Sequence, residues 1–449
     1  LGISQQTGFC IQGVVQLNLT GANGLTAVAV PVAASGADKT LMVDGGTVQW
    51  MAANQVAFGA VPTLSGSGAL NLNGFDQTLA GLVFTANGGT PPSVLTGAGT
   101  LTLTGDISVT NRSGNPSLAP SLGGKLDLGG GVRVIDVGSM VINGATDITA
   151  ANTTNFEGVT GFTLGALVSS TLNPAVAGLT KRGNGALALA AQNTFSGGVA
   201  VEAGALVLGG SSTPVTPSTQ AMPVLVTSGP VGASDGSTNG FLTLSDGVTL
   251  RTDGTARTIA NPVRFSAGAP VLGITIGGTS AGFNLTLSGT VGLGGTNRLI
   301  SVPNANVTLT LNGEIFGGGG ITKSGLGGLS VLGTNAFSGG VTLSGGSLIL
   351  GGSTIPTTAS TVAAPTSVTS GPLGTSDGVN AGRLLLGDGV TLQTDGTART
   401  IAYPVAFVSA GASGFTMAGT AGLTLNGNID LGAAARSVTV SGAMSHVLG

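Results

Sequence analysis

The chain has 449 residues, 82 of them glycine, with 14 Lys+Arg against 17 Asp+Glu and a formal net charge of −3. Charged residues are 7% of the total, against roughly 25% in an ordinary soluble domain. No basic run exists that could neutralise a phosphate backbone, so nucleic-acid binding is not expected, nor attraction to an anionic membrane. Disordered chains are poor in apolar residues and rich in charge. Here hydrophobic residues are 41% and mean hydropathy is +0.47, which predicts a buried core interrupted by many tight turns.

In chain order, residues 1–55 form an N-terminal segment that either starts the fold or docks as a strand. It begins Leu-Gly-Ile-Ser without Met, a basic stretch or an apolar core of a leader, so we expect a processed piece of a longer precursor. Its longest apolar run, Ala27 to Ala34, is too short to span a bilayer. Cys10 is alone; it reads as a small buried hydrophobe, with an intermolecular disulfide as the alternative, and it rules out a Cys-based zinc site. Residues 56–176 carry short alternating strands such as Leu70-Asn-Leu72 and Leu101-Thr-Leu103. Two long repeats follow, 177–318 and 319–449.

The long repeat is plain in the sequence. Lys181 and Lys323, Phe195 and Phe337, Gly209 and Gly351, and Asp246 and Asp388 stand at one common offset. Asp246 to Val263 matches Asp388 to Val405 except at Arg251/Gln393 and Asn261/Tyr403. Four residues are then lost, so Leu285 corresponds to Leu423 and Arg298 to Arg436. Inside each repeat runs x-Leu-x-Leu-x-Gly, as at Leu187-Ala-Leu189, Leu206-Val-Leu208, Leu309-Thr-Leu311 and Leu348-Ile-Leu350. Alternation puts apolar side chains on one face of a strand, and the following Gly supplies a sharp turn. Asn73-Gly74, Asn312-Gly313 and Asn426-Gly427 would suit hairpins, so stacked antiparallel hairpins compete with a parallel solenoid. Irregular strand spacing favours the solenoid. At roughly 20–25 residues per coil the chain would hold about 18–22 coils, a rod on the order of 90–105 Å at ~4.8 Å per rung.

Segments 178–210 and 320–352 carry a composite pattern. It runs Thr180-Lys181-x-Gly183-x-Gly185-x-Leu187-x-Leu189, then Asn193-x-Phe195-Ser196-Gly197-Gly198, then Gly204-x-Leu206-x-Leu208-Gly209. The second copy repeats it with Thr322-Lys323, Gly325, Gly327, Leu329, Asn335, Phe337, Gly346, Leu348 and Gly351. This resembles the autotransporter-associated β-strand repeat of bacterial autotransporter passenger regions. Val199 and Val341 stand where that family often has Thr, and no C-terminal membrane barrel is present in the sequence. The resemblance implies an all-β fold, a right-handed parallel β-helix (β-solenoid), exported to the cell surface.

Sugar-cleaving enzymes also use parallel β-helices, so paired carboxylates were weighed. Asp246, Asp388, Asp253 and Asp395 are the best candidates, with Glu202 and Glu314. Asp246 and Asp388 precede Gly as turn formers, and Asp253 and Asp395 each precede an Arg by four residues, which predicts ion pairs or Asx turns closing loops. No Gly-Gly-x-Gly-x-Asp calcium repeat occurs. His446 is the sole histidine and is expected on the surface. Trp50 and Tyr403 are too sparse for a stacking platform, and Phe195 and Phe337 are expected in the core. Sequons at Asn18, Asn111, Asn152, Asn284 and Asn306 predict no glycosylation in so Thr/Ser-rich a chain. No catalytic, cofactor-binding or metal-binding residues are expected, and no cofactor.

Aligned on the later offset, Gly449 falls opposite Leu311, in mid-repeat, and no charged cap is evident at either end. We therefore expect a non-catalytic extracellular or cell-surface solenoid that self-associates into filaments by end-to-end strand pairing. The alternative is a monomeric adhesin binding a surface or glycan. A polysaccharide-active enzyme or an ice-binding protein ranks below both.

Overall fold

The computed structural model describes residues 13–18, 41–87, 89–111, 118–139, 141–142, 145–146, 161–173, 176–266, 272–442 and 446–448. Cys10, the Ala27–Ala34 run and the sequon at Asn152 lie outside them, as does most of the 1–55 segment. Chain contacts divide the molecule into two compact units. The first runs to Thr213 and adds Thr227–Ser234 and Thr238–Phe241; the second comprises Pro214–Val226, Asp235–Ser237 and Leu242–Gly449.

Both units are β-solenoids of parallel, stacked short strands, and together the described residues make about 15 turns. In the first unit one inward row runs through paired strands as Val48, Leu70, Val94, Leu122, Leu164, Leu189 and Leu208. In the second, Leu285, Leu309, Leu329, Leu348, Leu392 and Met417 stack likewise. Every one of these side chains is buried. The adjacent row is only partly buried at Thr286, Thr310, Ile349 and Gln393, while Ser330 in the same row is covered. Period-2 alternation thus fills the interior of the coils with stacked apolar rows, each buried Leu contributing about 1.5–3 kcal/mol. Phe84 and Phe162 meet in the first core with ring centroids 5.1 Å apart. Phe195 and Phe337 are fully buried, as their sequence positions predicted.

The hairpin alternative does not hold. Among the described residues the strands pair in parallel, apart from Val141–Ile142 against Ala145–Thr146 and a few isolated bridges. Asn73 and Gly74 do take positive φ, 52° and 85°, but they turn the chain between faces of one coil while Leu70 pairs in parallel with Val94. Part of the N-terminal segment is itself a rung, since Val14–Leu17 pairs with Thr47–Trp50.

The coil count expected from the sequence is corrected downward. Leu329 pairs with Leu348 only 19 positions on, whereas Leu348 pairs with Leu392, 44 positions on. The excess leaves the ladder as a long arm (residues 352–383), returning through the antiparallel bridge Ile355 to Ser370. Residues 210–241 hold the corresponding first arm, with the bridge Thr213 to Ser228.

Leu329→Ala is expected to cost about 2–5 kcal/mol by leaving a cavity. Leu326→Ala, at a side chain 72% exposed, should stay within about 0.5 kcal/mol. Denaturant midpoints of the two variants check this.

Candidate functional site

The polar features best defined by geometry are buried lysines. Alternation places Lys181 inward with Leu179, between Ile135 and Val201 in the ladder; Lys323 lies likewise between Ile300 and Leu343. Both are fully buried. Lys181 Nζ donates to the carbonyls of Arg182 (2.7 Å), Gly183 (2.6 Å) and Ala203 (3.0 Å). Lys323 Nζ donates to those of Ser324 (2.8 Å), Gly325 (2.9 Å) and Gly345 (3.1 Å). Three acceptors match the three N–H groups of an ammonium. Two belong to the lysine's own turn and the third to the next coil, so each cage ties successive corners together. Burial pushes Lys181 down to about 7, partly countered by the charge of Asp136, and Lys323 down to about 8.

The repeat's asparagine does a second job. Asn193 Oδ1 accepts from Val168 N (2.9 Å) and its Nδ2 donates to Pro230 O (3.0 Å). Asn335 Oδ1 accepts from Ile315 N (2.8 Å) and its Nδ2 donates to Pro372 O (2.8 Å). Each buried amide therefore joins the preceding coil to the base of an arm. Tyr403, where the first copy has Asn261, donates its hydroxyl to Gly374 O (2.8 Å) and accepts from Leu373 N (3.1 Å). Burial raises that phenol above its ordinary range.

A third device recurs in Leu-Gly-x-x-x-Arg turns. Nε of Arg133, Arg298 and Arg436 donates to the carbonyl of Leu128, Leu293 and Leu431 respectively, each at 2.8 Å. Gly129, Gly294 and Gly432 hold φ of 61°, 70° and 63° in those turns. Arg298 also lies 5.2 Å from the Phe265 ring centroid and Arg436 4.5 Å from that of Phe407, within cation–π range.

The weighed carboxylates are distributed along the coils. Asp253 and Asp395 form two-point pairs with Arg257 and Arg399, each with contacts of 3.0 and 2.6 Å, as the spacing predicted. Burial raises the Asp253 carboxyl, but the Arg257 bond and charge outweigh it; the Arg399 hydrogen bond leads in lowering Asp395. Asp246 accepts from Gly273 N and Asp388 from Gly414 N (2.8 Å), so each caps the next coil's corner. Glu202 pairs with Arg182 at 2.6 Å, and Glu314 accepts from Gln220 N at 2.7 Å.

His446 differs from expectation: it is half-buried, and its Nδ1 accepts from Leu423 N at 3.2 Å. Trp50 is buried and donates to Gln77 Oε1 at 2.8 Å. The sequon residue Asn111 is buried, and Asn284 Oδ1 accepts from Thr308 N. Among the described residues, no cluster of three His, Cys, Asp or Glu side chains could hold a metal ion, and no helix is long and apolar enough to cross a membrane.

A family model described as the passenger-associated-transport-repeat matches residues 94–110, 179–208 and 321–350. No curated protein and no solved structure matches the chain. Solenoid and repeat together are consistent with an autotransporter passenger region, and such repeats imply export to the cell surface or extracellular space. The copy at 94–110 lies in the 56–176 stretch, where the sequence shows short alternating strands. It keeps Gly97-x-Gly99-x-Leu101-x-Leu103, but Leu95, 54% exposed, stands where the other copies have lysine. That copy has no lysine cage.

Two lysine ammoniums held below their ordinary 10.5 bind fewer protons folded than unfolded between about 7 and 10.5. Stability should therefore rise with pH across that window. In Lys181→Met/Lys323→Met the rise should vanish, and each site should lose about 1–3 kcal/mol as buried carbonyls lose their donor. Melting curves at pH 6.5 and 9.5 provide the check.

Proposed function

We propose that the chain is a non-catalytic scaffold at a bacterial surface, a structural component that associates with copies of itself into a fibre. The observation supporting it is where the few charged side chains go. Lys181, Lys323, Arg133, Arg298 and Arg436 bind corner carbonyls. Asp253 and Asp395 close loops with their arginines. These groups maintain the coils and do not gather around a substrate.

Self-association fits the surface that remains. Outward Thr and Ser rows and a net charge of −3 over 449 residues leave little repulsion between copies. A monomeric adhesin is the second reading, favoured by the tip of the first arm, where Met222 and Leu225 are exposed.

Negative-stain imaging and sedimentation across concentration test the choice. Fibres that persist in high salt are expected. Dispersed particles at every concentration, with saturable glycan binding, would give the adhesin reading instead. Polysaccharide cleavage lost in Asp253→Asn or Asp395→Asn would overturn the non-catalytic assignment.

A further inference from the structure

On one flank of the second unit, two sheets stop short of each other. Among the described residues, Ala336–Phe337 has a strand neighbour on one side only, Ile315–Gly317. Arg399–Ile401 likewise has a neighbour on one side only, Leu423–Leu425. Such edges present backbone N–H and C=O groups and invite pairing with another chain. The second arm, residues 352–383, bonds to both.

The arm's returning leg takes the first edge. Asn335 N donates to Gly371 O (3.0 Å) and Thr375 N to Phe337 O (2.8 Å). Its outgoing leg takes the second. Arg399 N donates to Gly422 O and Ile401 O accepts from Asn426 N, so these two groups face the neighbouring strand. Thr400 N, Thr400 O and Ala402 N face the other way. Thr400 N donates to Ser353 Oγ, Thr354 N donates to Thr400 O, and Ala402 N donates to Thr354 Oγ1, each at 3.0 Å.

A parallel strand would meet those three groups with a carbonyl, an N–H and a second carbonyl. Here the same acceptor–donor–acceptor order comes from two adjacent residues, with hydroxyls in place of both carbonyls. Thr354 is 2% exposed, and its own hydroxyl proton goes to Pro356 O at 2.8 Å, which leaves the oxygen to accept from Ala402. A true strand would carry the ladder onward by offering its own far edge; side chains end it. Ser211 and Ser212 hold the equivalent sequence positions of the first arm, so both copies keep two hydroxyls there.

We propose that Ser353–Thr354 is an edge stop, an autoinhibitory contact that closes the Arg399–Ile401 edge to a strand from a second copy of this chain. The excluded strand has the repeat's own Leu-x-Leu pattern, because Leu423-Thr-Leu425 already pairs in register with the opposite edge of Arg399–Ile401. The contact acts within a single chain, whether or not copies join end to end.

The test uses the full chain, hydrogen exchange and a labelled peptide of residues 421–427. In Ser353→Ala/Thr354→Val the Thr400 and Ala402 amides should exchange roughly tenfold faster, as each loses its acceptor. Fluorescence anisotropy should then show saturable peptide binding, and the bound peptide should slow both amides again. The wild-type chain should not bind the peptide. Ser353→Thr/Thr354→Ser keeps both hydroxyls and should match wild type, which separates hydrogen bonding from packing. If circular dichroism shows that the first double variant does not fold, Ser353→Ala alone serves, read at Thr400. Unchanged exchange in the variant, no peptide binding by it, or equal binding by wild type would overturn the proposal.

Discussion

Everything in this molecule follows from the spacing of its rungs. Parallel strands stack about 4.8 Å apart, so the corners joining them stack equally closely. A Cβ at Gly313 would run into the carbonyl of Gly289, and one at Gly427 into that of Tyr403. Neither glycine has positive φ; they are required for room rather than for backbone freedom. The abundance of glycine is the cost of turning a chain tightly enough to stack it.

Close corners also leave carbonyls that no neighbouring N–H reaches, and an unpaired buried carbonyl is expensive. The lysine cages and arginine-closed turns answer this problem with long side chains that supply several donors each. A chain with so few charges places these at the joints between coils. Buried amides at Asn193 and Asn335 extend the same logic to the arms, fastening each arm base to the coil before it. The recurring Lys, Asn and Phe of the repeat are thus respectively a corner tie, an arm clamp and a core filler.

Much of this was legible in the sequence. Alternation gave the inward rows, the conserved offset gave two copies, and Asp253 and Asp395 paired with the arginines four residues on. The arms were not legible as arms, because Val215, Leu225 and Val226 look as strand-like as residues within a rung; hence too many coils were expected. The inward lysines had a signal that charge obscured: Lys181 shares parity with Leu179 and so belongs inside. The arginine turn was written three times as Leu-Gly-x-x-x-Arg, though only its last two occurrences fall within the long repeat. His446 could not be placed because its partner, Leu423 N, lies on the preceding coil.

The central claim is that at corners such as Gly313 and Gly427 rung spacing dictates glycine, whereas turns such as those of Gly129, Gly294 and Gly432 use it for positive φ. Thermal unfolding of Gly313→Ala beside Gly295→Ala tests it most directly, since neither position has positive φ and only Gly295 has nothing within 4 Å of a new Cβ. The account predicts that Gly313→Ala costs about 1–3 kcal/mol through overpacking, while Gly295→Ala is neutral or stabilises by about 0.4–1 kcal/mol. Equal melting temperatures for the two variants would contradict it.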